Sequence, residues 1–182
     1  MPRVHLRGMD ADEFLRFREF SIAEYAGDLM TRQRVSGQEA QQQAQAEFDS
    51  ELPQGRETQN QHVMMVLDAQ SGQSVGWLWY LYEETDGVRQ AFLNDLFIAE
   101  AERRKGYATA ALTEMERNAI RDGCAECVLH VFHDNTDAIR LYQQCGYTPF
   151  WQTEDGMYMK KACAGSIRTH ASIQGKEFTG HR

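Results

Sequence analysis

The chain has 182 residues, of which 42% are hydrophobic, and a formal net charge of −8. This length and composition suit one compact domain, and the negative charge argues against non-specific binding to nucleic acid or to anionic membranes. No apolar run is long enough to span a bilayer, and residues 1–9 lack the apolar core of a signal peptide, so we expect a cytoplasmic protein.

The first third of the chain predicts one short strand and two amphipathic helices. The strand covers Val4–Leu6, and the helices should end near Tyr25 and before Pro53. Each helix begins at a capping box, in which residues three apart bond each other's backbone N–H: Asp10 with Glu13, and Ser36 with Glu39.

Three runs rich in Val, Leu, Trp, Tyr and Phe follow, and their composition is typical of β-strands. They cover residues 62–67, 74–82 and 89–98. The segments between them, 68–72 and 83–87, carry the Asp, Ser and Gly of tight hairpin turns. The pattern therefore predicts an antiparallel meander of three strands.

The third of these strands leads into a basic loop and then into a helix that begins around Gly106. The first turn of a helix carries backbone N–H groups without intrahelical acceptors, and the helix dipole favours negative charge there. Gly106 and the small Ala108 let a phosphate approach the backbone closely. Positive side chains are added by Arg103, Arg104 and Lys105. The segment therefore predicts a diphosphate-binding site.

The rest of the chain predicts a helix, a buried strand, a second helix and a closing hairpin. The helix after the basic loop closes at Gly123, and the strand at 127–132 is apolar on both faces, as expected of a strand beside a parallel neighbour. The last helix covers 136–145, and the hairpin strands cover 147–151 and 157–161.

We expect residues 1–161 to form a single domain. The tail at 162–182 carries only isolated apolar residues between glycines and serines, so it cannot build a core. The tail is expected to be dispensable for chemistry and to serve, if anything, in contact with a partner subunit, which leaves a homodimer open.

The four cysteines lie late in the chain and are too few to staple a fold of this length. We expect reduced thiols that pack as small hydrophobic groups. Cys124 and Cys127 have the spacing of half a zinc site, but no second pair follows them, so core packing is favoured and no metal site is predicted.

Two motifs in this sequence resemble those of the GNAT acyltransferase family. Arg103-x-x-Gly106-x-Ala108 is similar to the family's pyrophosphate signature, Arg/Gln-x-x-Gly-x-Gly/Ala. Asn135-x-x-Ala138-x-x-x-Tyr142-x-x-x-Gly146-Tyr147 resembles the pattern of its last helix. The resemblance covers about residues 3–161 and implies the mixed α/β GNAT fold. That fold is a central mixed, mostly antiparallel twisted sheet with a splayed parallel strand pair, flanked by about four helices.

The resemblance also implies a site for acetyl-CoA as cosubstrate. Exposed backbone groups of Leu96, Phe97 and Ile98 would pair with the pantetheine arm like an added strand. The amide of Asn135 would reach the pantetheine or phosphate region. The pyrophosphate would lie on the backbone and side chains of Arg103, Arg104, Lys105, Gly106, Tyr107, Ala108 and Thr109. Arg104 stands where many relatives have Gly, which is tolerable if its φ stays below zero.

Catalytic roles follow from the same resemblance. Tyr142 would protonate the departing thiolate of CoA. Many family members place a glutamate base on the strand before the basic loop, and this chain has Asn94 there, which is a poor proton acceptor. The adjacent Asp95 faces the other side of a regular strand unless a bulge intervenes. A role for Asp95 as the base and a role as a structural carboxylate are therefore given equal weight. A water chain ending at Glu83, Glu84 or Asp95 is a further route for the proton.

These implications favour an N-acetyltransferase that moves acetyl from acetyl-CoA to a primary amine of a small molecule or peptide, by direct attack in a ternary complex. The alternative is a non-catalytic acyl-CoA-binding regulatory or interaction module on the same fold, which Asn94 keeps open. Acceptor choice is expected to depend on the segments at 25–35 and 152–157, and neither carries a readable substrate code.

Overall fold

The computed structural model describes residues 2–33 and 35–163. These residues divide into two compact units, one of residues 8–63 and the other of residues 2–7 and 64–163. The single-domain expectation stays a prediction, and most of the predicted tail lies outside the described residues.

The smaller unit contains helices α1 (Ala11–Gln33) and α2 (Gly37–Glu51). Both capping residues are in place. Asp10 and Glu13 exchange backbone-to-carboxylate bonds of 2.8 Å, and Ser36 Oγ accepts the N–H of Glu39 at 3.3 Å. The helix α1 does not end near Tyr25 as expected, because the apolar stripe continues through buried Ala26 and Leu29. Part of the segment predicted to choose the acceptor is therefore helical.

The seven strands form one sheet, in the order β1-β2-β3-β4-β5-β7-β6. The pair β4–β5 is parallel, whereas β3–β4, β5–β7 and β6–β7 are antiparallel. The expected mixed α/β fold is thus confirmed. In the closing hairpin β7 lies between β5 and β6, and β6 forms the edge of the sheet. The strands are β1 (Val4–Gly8), β2 (Gln61–Asp68), β3 (Ser74–Thr85), β4 (Val88–Ile98), β5 (Glu126–Phe132), β6 (Thr148–Gln152) and β7 (Gly156–Ala162).

Two further helices, α3 (Tyr107–Arg121) and α4 (Thr136–Gln144), pack on the main core of the larger unit. The core contains fully buried Leu112 and Met115 of α3. It extends to Cys163, which is 7% exposed and donates its N–H to Ala125 at 2.8 Å. The described core therefore includes two residues past Lys161, where the sequence analysis places the end of the domain.

One glycine is required where β3 meets the end of β4. Gly76 faces Ile98, and a Cβ at this position would collide with the carbonyl oxygen of Phe97. Rotation of a neighbouring side chain cannot relieve this collision, because the colliding atom belongs to the backbone. Gly76 thus allows the close approach of two backbones that leads the chain into the basic loop.

We predict that Gly76→Ala lowers the free energy of unfolding by about 1–3 kcal/mol or more, because the strands must move apart. Gly27→Ala in α1 is the matched control. A Cβ there meets nothing within 4 Å, and alanine should stabilise the helix by up to about 1 kcal/mol. Urea unfolding measures both. Equal stability of Gly76→Ala and the parent would contradict the close contact.

Candidate active site

The parallel strands β4 and β5 pair over part of their length and then separate. Their register covers Gln90–Leu93 against Glu126–Leu129. Beyond it, β4 continues to Ile98 along β3, and β5 continues to Phe132 along β7. The two strands thus keep their outer partners while their facing edges are released. This is the splayed pair expected from the sequence, and it leaves room for an extended chain between the two edges.

The open strand edge leads to a helix start that is rich in free donors. The first helical bond of α3 runs from Ala110 N–H to the carbonyl of Gly106, at 3.1 Å. No described residue supplies an acceptor for the N–H groups of Tyr107, Ala108 and Thr109. Helices α1, α2 and α4 differ, because a side chain caps each of them. The α3 terminus therefore has the donors and the dipole that bind an anion.

The three basic residues before α3 have different partners. Arg103 donates Nε–H to the carbonyl of Ile98 at 3.0 Å, and its guanidinium lies 5.8 Å from the ring centroid of Phe97. Lys105 pairs with Glu102 at 3.1 Å. Arg104 is exposed and makes no hydrogen bond or ion pair with the residues that the structure describes. Arg103 therefore fixes the loop to the end of β4, whereas the side chain of Arg104 is exposed to solvent.

Two residues of this loop have left-handed backbone conformations. Arg104 has φ 64°, so the condition that its φ stay below zero is not met and the position keeps the backbone that suits a glycine. Gly106 has φ 90°, and a Cβ there would lie 3.1 Å from Cδ of Pro2. The absence of a side chain at Gly106 thus permits both the positive φ of the turn and the contact with Pro2, whereas a phosphate was expected to use this space. After this turn α3 begins at Tyr107, so the N–H groups of its first turn lie next to the basic loop.

A bulge in β4 decides where the two candidate base residues lie. Trp79 faces Asp95 and Tyr80 faces Leu93, so Asn94 is the extra residue. A bulge of the kind that could redirect Asp95 is present. Asp95 faces the side opposite to Leu93, and because it lies two residues before Phe97 it shares the face of Phe97 and Trp77.

The Asp95 carboxylate has a structural partner that sequence reasoning missed. Its Oδ2 accepts the indole N–H of Trp77 at 2.8 Å, and the Trp77 ring stacks on Phe97 with centroids 4.2 Å apart. The pairing register, which composition does not reveal, brings the indole to the carboxylate. A structural role for Asp95 is thus observed.

Tyr142 of α4 lies partly buried against the core, edge-on to Tyr147 with ring centroids 6.0 Å apart. Burial raises the pKa of the Tyr142 hydroxyl, and the negative charge of Asp95 raises it further. The two predicted catalytic residues are therefore close enough to interact, although they come from different elements. At neutral pH the hydroxyl is protonated and can donate.

Asn135 and Tyr107 hold the starts of the two helices. Asn135 Oδ1 accepts the N–H of Ala138 at 3.2 Å, which caps α4 and leaves the amide N–H groups for other acceptors. The Tyr107 hydroxyl donates a hydrogen bond to Asp68 at 3.0 Å, which ties α3 to the end of β2.

No cluster of three or more metal-binding side chains occurs in 2–33 and 35–163, and no helix in these ranges is long and apolar enough to cross a membrane.

We predict that Arg104→Gly raises the free energy of unfolding by about 1 kcal/mol, because glycine adopts positive φ without the penalty of a side chain. The same variant should bind CoA more weakly, since it loses the unpaired guanidinium. Arg104→Ala is the control, because it removes the charge but keeps the backbone penalty. Urea unfolding and calorimetric titration with CoA measure the two effects. A less stable Arg104→Gly variant would contradict the assigned conformation.

Comparison with known proteins gives consistent results. The model of the acetyltransferase (GNAT) family matches residues 26–147. Two proteins of Bacillus subtilis (strain 168), the uncharacterized N-acetyltransferases YdgE and YycN, are each 31% identical to this chain. The YdgE match covers 78% of this chain and 90% of YdgE, and the YycN match covers 79% and 92%.

Solved structures agree with these matches. The crystal structure of YycN has a TM-score of 0.73 at 27% identity, over 94% of this chain and 99% of that one. The spermidine N-acetyltransferase of Vibrio cholerae, in complex with CoA and spermine, has a TM-score of 0.61 at 17% identity. That match covers 89% of this chain and 96% of the Vibrio chain, and it supports the fold alone. With the family model and the two Bacillus relatives, these findings establish that the chain belongs to the GNAT acetyltransferase family.

Proposed function

We propose that this protein transfers the acetyl group of acetyl-CoA to a primary amine of a small molecule or peptide, by direct attack in a ternary complex. The observation that carries the proposal is the continuity between the opened strand edge of β4 and the uncapped start of α3. An extended pantetheine arm suits the first, and a pyrophosphate suits the second.

The residues present fit acetyl-CoA. Ala99 donates its N–H to Val75 on β3, so in the alternating pattern of a strand the backbone groups of Leu96 and Ile98 face away from β3. The carbonyl of Ile98 already accepts a hydrogen bond from Arg103 Nε–H in this structure. The N–H groups of Tyr107, Ala108 and Thr109 would hold the pyrophosphate, with Arg104 beside them. The acetyl thioester supplies the activated acyl group, and this chain's residues orient it and move protons.

Tyr142 is proposed as the group that donates a proton to the departing sulfur. Its raised pKa keeps the hydroxyl protonated through the neutral range. No described residue accepts a hydrogen bond from this hydroxyl, so the proton is available to a leaving group. The proposed acid thus has both the charge state and the freedom that the role requires.

Asp95 is proposed as the proton acceptor for the attacking amine, directly or through water. This carboxylate shares a face with Trp77 and Phe97, and the bulge at Asn94 places it on the side opposite to Leu93. Asn94 would orient the amine through its amide. The two Bacillus relatives, which are named N-acetyltransferases, support an amine as the class of acceptor. The bond from Trp77 to Asp95 is also the observation that favours the alternative, a non-catalytic acyl-CoA-binding module, because it gives the carboxylate a purely structural use.

Tyr142→Phe should lower kcat by about 100-fold or more while the affinity for CoA stays unchanged, because a proton donor is lost and the ring remains. Release of thiol from acetyl-CoA with a panel of amines measures turnover, and calorimetry measures affinity. A variant with the parent's kcat across the pH range would remove Tyr142 from the mechanism. Absence of thiol release by the parent with every amine would favour the non-catalytic module.

Asp95→Asn separates the two roles of this carboxylate. The amide keeps an oxygen that accepts the Trp77 N–H, so the free energy of unfolding should change little, while kcat should fall by about 100-fold if the carboxylate is the base. Trp77→Phe is the matched control, since it removes the indole donor and leaves the carboxylate. If both variants lower kcat equally, the role of Asp95 is structural and the proposed base is wrong.

A further inference from the structure

Two buried thiols that take no part in the proposed acetyl transfer lie side by side, one on β5 and one just after β7. Cys127 belongs to β5, where it faces Lys161 of β7, and Cys163 follows the end of β7. Their sulfur atoms are 3.9 Å apart. A disulfide has an S–S length near 2 Å, so the sulfurs must approach by about 2 Å.

A small cavity reaches both thiols. It has a volume of about 150 Å³ and is lined by Glu116, Ile120, Cys127, Lys161, Ala162 and Cys163. A water molecule occupies about 30 Å³ of liquid, so a molecule of two oxygen atoms fits with room to spare. The polar groups of Glu116 and Lys161, joined by a bond of 2.6 Å, give the cavity a hydrophilic wall. A small neutral oxidant can therefore meet the pair, although both residues are buried.

The two cysteines differ in a way that gives them separate roles. Cys163 is 7% exposed, and Cys127 is 1% exposed. The hydrogen bond with Cys127 lowers the pKa of Cys163, while burial and the carboxylates of Glu116 and Glu126 act against it. The same contact, followed by burial, raises the pKa of Cys127. The more exposed Cys163 is thus the thiol that a small oxidant meets first, and Cys127 is placed to resolve its oxidised form.

We propose that Cys127 and Cys163 form a reversible dithiol–disulfide site that is oxidised by a small peroxide. The Cys163 thiolate attacks one oxygen of hydrogen peroxide, which breaks the O–O bond and, with one proton, gives a sulfenic acid and water. The Cys127 sulfur then attacks the Cys163 sulfur and displaces hydroxide, which leaves as water with the proton of the Cys127 thiol. Two thiols lose two electrons, and the peroxide becomes two water molecules. A thiol reductant reverses the change.

The test is chemical mapping of the full-length protein. The reduced protein is treated with hydrogen peroxide, and the remaining thiols are alkylated with N-ethylmaleimide in denaturant. Trypsin leaves Cys124 and Cys127 on one peptide, but an additional protease that cuts after Glu126 separates them. The expected product is peptide 127–140 linked to peptide 162–168, with the link lost on reduction. Alkylated thiols should fall from the 4 of the sequence to two.

Matched variants complete the experiment. Cys124→Ala and Cys145→Ala should keep the linked peptides, whereas Cys163→Ala should abolish them and leave Cys127 alkylated. Cys163→Ser serves as the second variant if the alanine form does not fold. The proposal is overturned if Cys163 links to Cys124, if it ends as a sulfinic or sulfonic acid, or if both members of the pair are alkylated after the peroxide treatment.

Discussion

The end of pairing between β4 and β5 is the constraint on which the rest of the site depends. Two adjacent parallel strands normally share all their facing N–H and C=O groups, since unpaired groups carry a free-energy cost. Here the facing edges separate after Leu93 and Leu129, while β3 and β7 hold the outer edges to the ends of the strands. The inner edges of β4 and β5 are therefore apart while their outer edges remain paired, which leaves an opening inside a continuous sheet.

The opening is continued by the chain that leaves each strand. From β4 the chain turns at Arg104 and Gly106 into α3, whose first N–H groups have no cap. From β5 it enters α4, whose start Asn135 caps. One helix thus keeps its donors free and the other does not. Because both helices begin near the divergent strand ends, their termini and Tyr142 border a single region of the larger unit.

The sequence predicts the elements well because they follow from local rules. Capping boxes, turn residues and apolar periodicity placed the helix starts, the meander and the parallel strand. What it did not predict depends on pairing across strands. The bulge at Asn94 is visible only as a shift in register, and it places Asp95 on the face opposite to Leu93. The bond between Trp77 and Asp95 depends on how β3 pairs with the last residues of β4, which composition does not reveal.

The basic loop was predicted as a set of equivalent charges, and its residues are not equivalent. A side chain's partner depends on the local turn, which composition does not encode. Arg103 turns inward because the carbonyl of Ile98 and the face of Phe97 lie within its reach. Arg104 keeps a positive φ despite a cost of about 1–2 kcal/mol. Local geometry, rather than charge count, therefore decides which basic side chain can meet an anion.

The net charge of −8 makes these local donors more important. A negatively charged protein repels a diphosphate at long range and attracts an ammonium group, although salt screens both effects beyond about 8–10 Å. Recognition of the anion must then come from groups in direct contact with it. Backbone N–H groups at the start of α3 meet this need without adding mobile side chains, and their orientation is fixed by the helix that follows. Under the proposed function the two features are complementary: the negative charge would favour the amine, and the uncapped helix would hold the acyl donor.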